Sequence, residues 1–177
     1  TDAGGAVQTF TAVVQPDGSY GADVPAALAD GPYSVTAAVS VGGANASATD
    51  GGSVDTAAPT VTVDAPALGN DSTPTIGGTT SLPAGSTITL TVTDAGGTVQ
   101  TFTATVQPGG TYSADVPAAL VAGAFTVSAS GTDAAGNSGS ASDTGTVDLT
   151  APSLAVDAPA VTNDSTPTIT GTTDLPA

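Results

Sequence analysis

The side chains that could do chemistry in this chain are almost all carboxylates. The sequence has 177 residues, of which 16 are Asp, and it contains no Glu, Lys, Arg, His or Cys. Two short motifs place an Asp shortly before a Pro: Val54–Pro59 reads VDTAAP, and Val147–Pro152 reads VDLTAP. Carboxylate and carbonyl oxygens are the groups that bind calcium. We therefore predict that these motifs, the first and second junction, carry the function by binding Ca²⁺.

The composition argues against several other classes of function. Without Lys or Arg the chain cannot neutralise phosphates, so no nucleic acid is expected as a partner. No apolar run approaches the roughly 20 residues of a membrane helix, so no membrane insertion is expected. Paired Asp residues could perform acid–base work, but no catalytic constellation is visible and the loops are short. We therefore do not expect an enzyme.

The chain repeats itself. Thr1–Leu28 matches Thr93–Leu120 at 23 of 28 positions, and Pro59–Ala84 matches Pro152–Ala177 at 19 of 26. Three segments are therefore predicted: the C-terminal part of one repeat at 1–57, a complete repeat at 58–150 and the N-terminal part of a following repeat at 151–177. Because the two end segments correspond to opposite parts of a repeat, they are expected to pair head-to-tail between molecules.

The complete repeat alternates apolar and polar residues with the period of a β-strand. In Ser86–Thr93, for example, Ile88, Leu90 and Val92 share one face. Seven strands are predicted, at 60–64, 73–80, 86–93, 99–106, 111–116, 125–133 and 138–147. Short strands separated by turn signals are typical of an all-β, Ig-like Greek-key sandwich, here repeated in tandem. A parallel β-helix would show a sub-repeat of about 20–25 residues, which is not visible. One helical turn is predicted at Pro117–Leu120.

Strand alternation also places the acidic loops. If every strand reverses direction, one pole of the complete repeat gathers Asp residues at positions 64, 71, 94, 115 and 148. The turn Asp133–Asn137 then lies at the opposite pole, beside Asp55 of the first junction. Carboxylates are therefore expected to concentrate at the ends where repeats meet.

Three motifs together resemble a known family. They are Asn70–Ile76 (NDSTPTI), Thr132–Asn137 (TDAAGN) and the two junctions. In this order and within one period, they look like bacterial Ig-like repeats from the extender regions of giant RTX-type biofilm adhesins. The resemblance covers the whole chain. It implies a rod at the bacterial cell surface, exported by a type I system, with calcium bound between neighbouring repeats of the same chain.

Carried over by position, the resemblance implies a set of calcium ligands. Asp55 and Asp148 of the junctions and Asp133 and Asn137 of the turn are the first candidates, and Asp94 and Asp71 are weaker ones. The alternative is that Asp133 and Asn137 only shape a turn. In the preceding repeat, Val41 stands where the complete repeat has Asp133, so calcium should bind weakly or not at all there.

The predicted function is a structural spacer that calcium stiffens. Without metal, the carboxylates at each junction repel one another, and bound calcium would neutralise and bridge them. The alternative is a carbohydrate- or ice-binding β-sandwich module, for which the outward Thr87, Thr89 and Thr91 are candidates. Sugar sites usually need exposed aromatic side chains, and the six Phe and Tyr residues are expected to lie in the cores.

Overall fold

The computed structural model describes residues 1–175, which form ten β-strands and no helix. No helix long and apolar enough to cross a membrane occurs in this part of the chain. The chain separates into two compact units: unit 1 comprises 1–59 with 132–139, and unit 2 comprises 60–131 with the residues from 140 onward. The predicted division into 1–57, 58–150 and 151–177 stays a prediction, and its residues 176–177 lie outside the described part.

The strands from β3 to β8 form an Ig-like β-sandwich, as predicted. One sheet has the order β5-β4-β7-β8, and the other pairs β3 with β6. The strands are β3 Thr75–Thr79, β4 Thr87–Thr93, β5 Val99–Thr105, β6 Thr111–Asp115, β7 Gly123–Thr132 and β8 Ser138–Val147.

Alternating side chains of both sheets fill the space between them. Ile88, Leu90 and Val92 of β4 are fully buried, and Val127 of β7 lies opposite Val92 in the pairing of the two strands. Ile76 of the other sheet is also fully buried. Because successive residues of a strand point to opposite faces, the Thr residues between them face outward, as the alternation predicts.

The predicted first strand, 60–64, pairs less regularly than expected. It pairs with β3 and the residue that follows it through two isolated bridges, Asp64 with Gly77 and Val61 with Thr80. Between the bridges, the Thr62 N–H donates to the Thr79 carbonyl oxygen at 2.8 Å. The hydroxyl of Tyr112 on β6 donates a hydrogen bond to the Thr62 carbonyl oxygen. A side chain at Gly78 would collide with both groups, so this glycine leaves room for a contact that adds to the backbone hydrogen bonds of the segment.

The predicted helical turn at Pro117–Leu120 is wrong. The segment is a bend, although Leu120 is buried as expected. The Gln100 side chain explains the difference, because its Nε2 donates to the Ala118 carbonyl oxygen and its Oε1 accepts the Ala118 N–H, both at 2.9 Å. These two bonds replace backbone bonds that a helix would supply. The first copy repeats the arrangement with Gln8 and Ala26.

Unit 1 contains a long hairpin of β1 (Gly31–Val41) and β2 (Ala44–Val54). Residues 1–57 include no counterpart of 58–92, and positions that match the core of the complete repeat are open to solvent. Tyr20 is 59% exposed, whereas the matching Tyr112 is 2% exposed. The expectation that all six aromatic residues lie in cores is therefore wrong for Tyr20, and also for Phe10, which is exposed.

A further pair of strands lies near the end of the described chain. β9 (Leu154–Asp157) pairs antiparallel with β10 (Thr170–Thr173). Ile169 is 54% exposed, whereas the matching Ile76 is fully buried, because 151–175 has no counterpart of the later strands. The predicted pairing of the two end segments between molecules stays a prediction.

Candidate calcium-binding junction

Asp133 organises the tight turn between β7 and β8. Its backbone N–H donates to the Asn137 carbonyl oxygen at 3.0 Å, and the Gly136 N–H donates to the Asp133 carbonyl oxygen at 3.2 Å. Its side-chain Oδ1 accepts the N–H groups of Ala135 and Asn137, both at 2.9 Å. Gly136 has a φ of 96°, which glycine adopts without steric cost. The turn-shaping role left open by the sequence is therefore present.

Asp94 makes the same turn between β4 and β5. Its Oδ1 accepts the N–H groups of Gly96 at 2.9 Å and Thr98 at 2.8 Å. The side chain is only 7% exposed, so these bonds compensate much of the cost of burying a carboxylate. This weaker candidate ligand has a complete structural role within its own turn.

Asn137 distinguishes the Asp133 turn from the Asp94 turn. Its Nδ2 donates to Asp133 Oδ2 and to the Asp55 carbonyl oxygen, both at 3.0 Å. All three residues belong to unit 1. The structure therefore brings together three of the predicted ligands, at the first junction. Thr98 occupies the position of Asn137 in the Asp94 turn and has no amide to make this contact.

The first junction has further contacts of its own. Asp55 Oδ1 accepts the Ala57 N–H at 3.0 Å, and Thr56 Oγ1 donates to both carboxylate oxygens of Asp30, at 2.9 and 3.0 Å. Asp30 is not among the candidates selected from the sequence, because the second copy has Ala122 at this position. The repeat therefore gave no signal for the third carboxylate at this junction.

The second junction repeats the local geometry of the first. Asp148 Oδ1 accepts the Thr150 N–H at 2.9 Å, as Asp55 does from Ala57. The Asp148 N–H donates to the Gly69 carbonyl oxygen at 2.9 Å, which places Asp148 beside the loop that contains Asp71. Asp71 Oδ1 accepts the Thr73 N–H at 2.8 Å and the Thr73 hydroxyl at 3.1 Å.

The first junction offers only part of a calcium site. Asp55 Oδ2 and Asn137 Oδ1 accept no hydrogen bond within residues 1–175, and both are oxygens of the kind that calcium binds. No group of three or more Asp side chains in that range is arranged to hold a metal ion. Calcium takes about six to eight oxygens, so carbonyl groups and water would have to supply most of them.

Hydrogen bonds lower the pKa of three carboxylates, two of them at the turn and the second junction. The Asn137 amide, aided by backbone N–H groups, lowers the pKa of Asp133. The Thr150 N–H lowers the pKa of Asp148 in the same way. Asp143 on β8 also has a lowered pKa, chiefly because its Oδ2 accepts the Ala65 N–H at 2.9 Å. Sequence reasoning missed this contact, because the alternation along β8 does not show what faces Asp143.

Known proteins provide an independent comparison. The family described as bacterial Ig-like domain matches residues 53–149, more than half of the chain. The solved tetra-tandem repeat in the extending region of a large adhesion protein is 30% identical, with a TM-score of 0.52. That match covers 98% of this chain and 53% of the other, so the chain spans about half of the relative's length.

Two further solved structures give more distant matches. A 1.5-MDa bacterial ice-binding adhesin is 29% identical over 77% of this chain and 47% of its own, with a TM-score of 0.44. A Ca²⁺-stabilised, ice-binding adhesin of an Antarctic bacterium is 28% identical over 72% and 35%, with a TM-score of 0.38. No curated protein matches the chain significantly. The match over residues 53–149 shows that the chain belongs to the bacterial Ig-like domain family.

Proposed function

We propose that this chain is a spacer segment of a bacterial cell-surface adhesin, in which calcium at the junctions stiffens a rod of Ig-like repeats. The observation that carries the spacer role is the likeness of 98% of the chain to tandem repeats of an adhesion protein's extending region. A spacer holds a distant binding site away from the cell, which requires repeats in series and no pocket of their own. The partners of each repeat are its neighbours in the same chain.

The charge distribution supports a role for a cation. The formal net charge is −16, and no side chain of opposite charge is present. Three Asp residues of unit 1 meet at the first junction. Asp55 belongs to it, Asp30 accepts a hydrogen bond from its Thr56, and Asp133 is joined to Asp55 through the Asn137 amide. Like charges in a compact state destabilise it, and a divalent cation is the direct means of neutralising them in a chain without Lys or Arg.

The contacts at the first junction suggest how its residues would hold such an ion. The Asn137 amide nitrogen lies between two acceptor oxygens, Asp133 Oδ2 and the Asp55 carbonyl. An ion between these two oxygens would take the place of the amide nitrogen, with the Asn137 amide turned so that Oδ1 rather than Nδ2 faces the ion. Calcium would supply charge neutralisation and a bridge between the turn and the junction. Asp55, Asp133 and Asn137 would hold it, together with carbonyl groups and water.

Location and export follow from the same proposal. A spacer of an adhesin works at the bacterial cell surface, and the family resemblance suggests export by a type I system. Folding coupled to metal binding would suit a chain that leaves a calcium-poor cytoplasm unfolded. Pairing of 151–177 of one molecule with 1–57 of another would cover the exposed Tyr20 and Ile169.

Calcium titration by calorimetry tests the metal site. The whole chain should bind Ca²⁺, and Asp133→Ala should weaken that binding at least tenfold. Asp17→Ala is the matched control, since it removes the same charge from an exposed turn where Asp17 bonds only Ser19. Equal loss of affinity in both variants would show a general charge effect, and no binding by the unchanged chain would refute the calcium proposal.

A further inference from the structure

The four Asn residues of the chain divide into two groups. Asn45, Asn70 and Asn163 are each followed, two residues later, by Ser, with no Pro between; Asn137 is not. Asn-x-Ser is the acceptor pattern for attachment of sugar to the Asn side chain. At positions 70 and 163 the pattern lies in the NDSTPT segment shared by the two copies, in which the Asp side chain bonds to the Thr two residues later and the Asn side chain makes no hydrogen bond within residues 1–175.

The structure separates the same two groups. Asn45, Asn70 and Asn163 are exposed, and within residues 1–175 their side-chain amides make no hydrogen bond to the protein. Asn137 is half-buried, and its amide is used twice, on Asp133 and on Asp55. The one Asn with a structural role is thus the one outside the acceptor pattern.

Backbone conformation at the three positions also suits modification. Asn70 and Asn163 lie in irregular loops, whereas Asn45 is the second residue of β2, opposite Ser40, directly after the tight turn at Gly42 and Gly43. Loops at the surface present the side chains of Asn70 and Asn163 without disturbing a packed sheet, and Asn45 is exposed at the end of the β1–β2 hairpin. A sugar at any of the three would extend into solvent and displace no core residue.

We propose that Asn45, Asn70 and Asn163 are acceptor sites for N-linked glycosylation. The donor is an activated sugar whose C1 carries a phosphate-ester leaving group. A bond forms between the Asn Nδ2 and the sugar C1 while the bond between C1 and the phosphate oxygen breaks. The amide loses one proton to a base of the transferase, and the phosphate leaves with the bonding electron pair. The product is a neutral amide-linked sugar, so the charge of −16 is unchanged.

The position of Asn70 gives the modification a physical consequence. The neighbouring Gly69 bonds to Thr146 at 3.0 Å through its N–H and to the Asp148 N–H at 2.9 Å through its carbonyl oxygen. A sugar on Asn70 would therefore stand beside the second junction. It would add hydrated bulk there without adding charge, and restrict access of proteases to the linking segment.

Glycopeptide mass spectrometry of the whole protein, isolated from the cells that make it, tests the proposal. Sugar is expected on Asn45, Asn70 and Asn163, and none on Asn137. The variants Ser47→Ala, Ser72→Ala and Ser165→Ala should each remove sugar from the Asn two residues earlier and leave the other two sites occupied. A protein with the bare polypeptide mass, or sugar that persists on Asn70 in Ser72→Ala, would overturn the proposal.

Discussion

Replacing Tyr112 by Phe is the sharpest test of how the sandwich holds its first segment. The Tyr112 side chain is 2% exposed, and its hydroxyl donates to the Thr62 carbonyl oxygen. Phe fills the same space, so packing is kept while the hydrogen bond is lost. An unsatisfied, partly buried carbonyl costs about 1–3 kcal/mol. Because Thr62 itself is exposed, we expect the lower part of that range, about 1–2 kcal/mol.

The same chain provides the control. Tyr20 occupies the matching position of the first copy but is 59% exposed, and its hydroxyl makes no hydrogen bond within residues 1–175. Tyr20→Phe should change stability by less than about 0.5 kcal/mol.

Thermal unfolding followed by far-UV circular dichroism measures both effects. For a domain of this size, about 1–2 kcal/mol lowers the midpoint by roughly 4–16 °C. The assay does not depend on the fluorescence of Tyr112, which the substitution would remove. Equal midpoints for Tyr112→Phe and Tyr20→Phe would refute the argument that this hydrogen bond fastens residues 60–64 to the sheet.

Two further predictions concern the two hydrogen bonds between Gln100 and Ala118 and the dependence of stability on pH. Gln100→Ala should lower the unfolding free energy by about 1–2 kcal/mol in urea titrations, since both hydrogen bonds to Ala118 are lost. Gln107→Ala, which loses one exposed bond to Thr105, should lower it clearly less. Equal losses in the two variants would contradict a stabilising role for the Gln100–Ala118 hydrogen bonds. The pKa values of Asp133, Asp143 and Asp148 are lowered in the folded chain. The stability that these carboxylates contribute is therefore fully present above the pKa of Asp in the unfolded chain, about 3.9, and is lost as the pH falls below it. The thermal midpoint should therefore fall on acidification below about pH 4, and a midpoint that rises there would show that relief of repulsion between carboxylates outweighs the lost hydrogen bonds.

The sequence predicts the sandwich well where alternation is regular. β4 begins one residue after the predicted limit and ends at it, because its alternate apolar side chains can be buried in only one register. The helical turn at Pro117–Leu120 was wrong because a side chain from another strand, Gln100, takes the backbone groups that a helix needs. No local pattern shows such a long-range contact.

The junction was predictable only in part. The repeated motifs pointed to Asp55 and to the Asp133–Asn137 turn, and the structure places the Asn137 amide against the Asp55 carbonyl. Asp30 could not be found from the repeat, since the matching position holds Ala122. Metal binding by these residues remains a prediction, because the hydrogen bonds that shape the turn account for most of the Asp133 contacts.

The central claim is that calcium stiffens the junction between repeats. Small-angle X-ray scattering of the whole chain, with calcium and then with an excess of chelator, tests it most directly. We expect a larger and more sharply defined maximum dimension with calcium, and a shorter average with broader spread after chelation. Asp133→Ala should give the chelated profile under both conditions, whereas Asp17→Ala should behave like the unchanged chain. Identical scattering of the unchanged chain with and without calcium would contradict the claim.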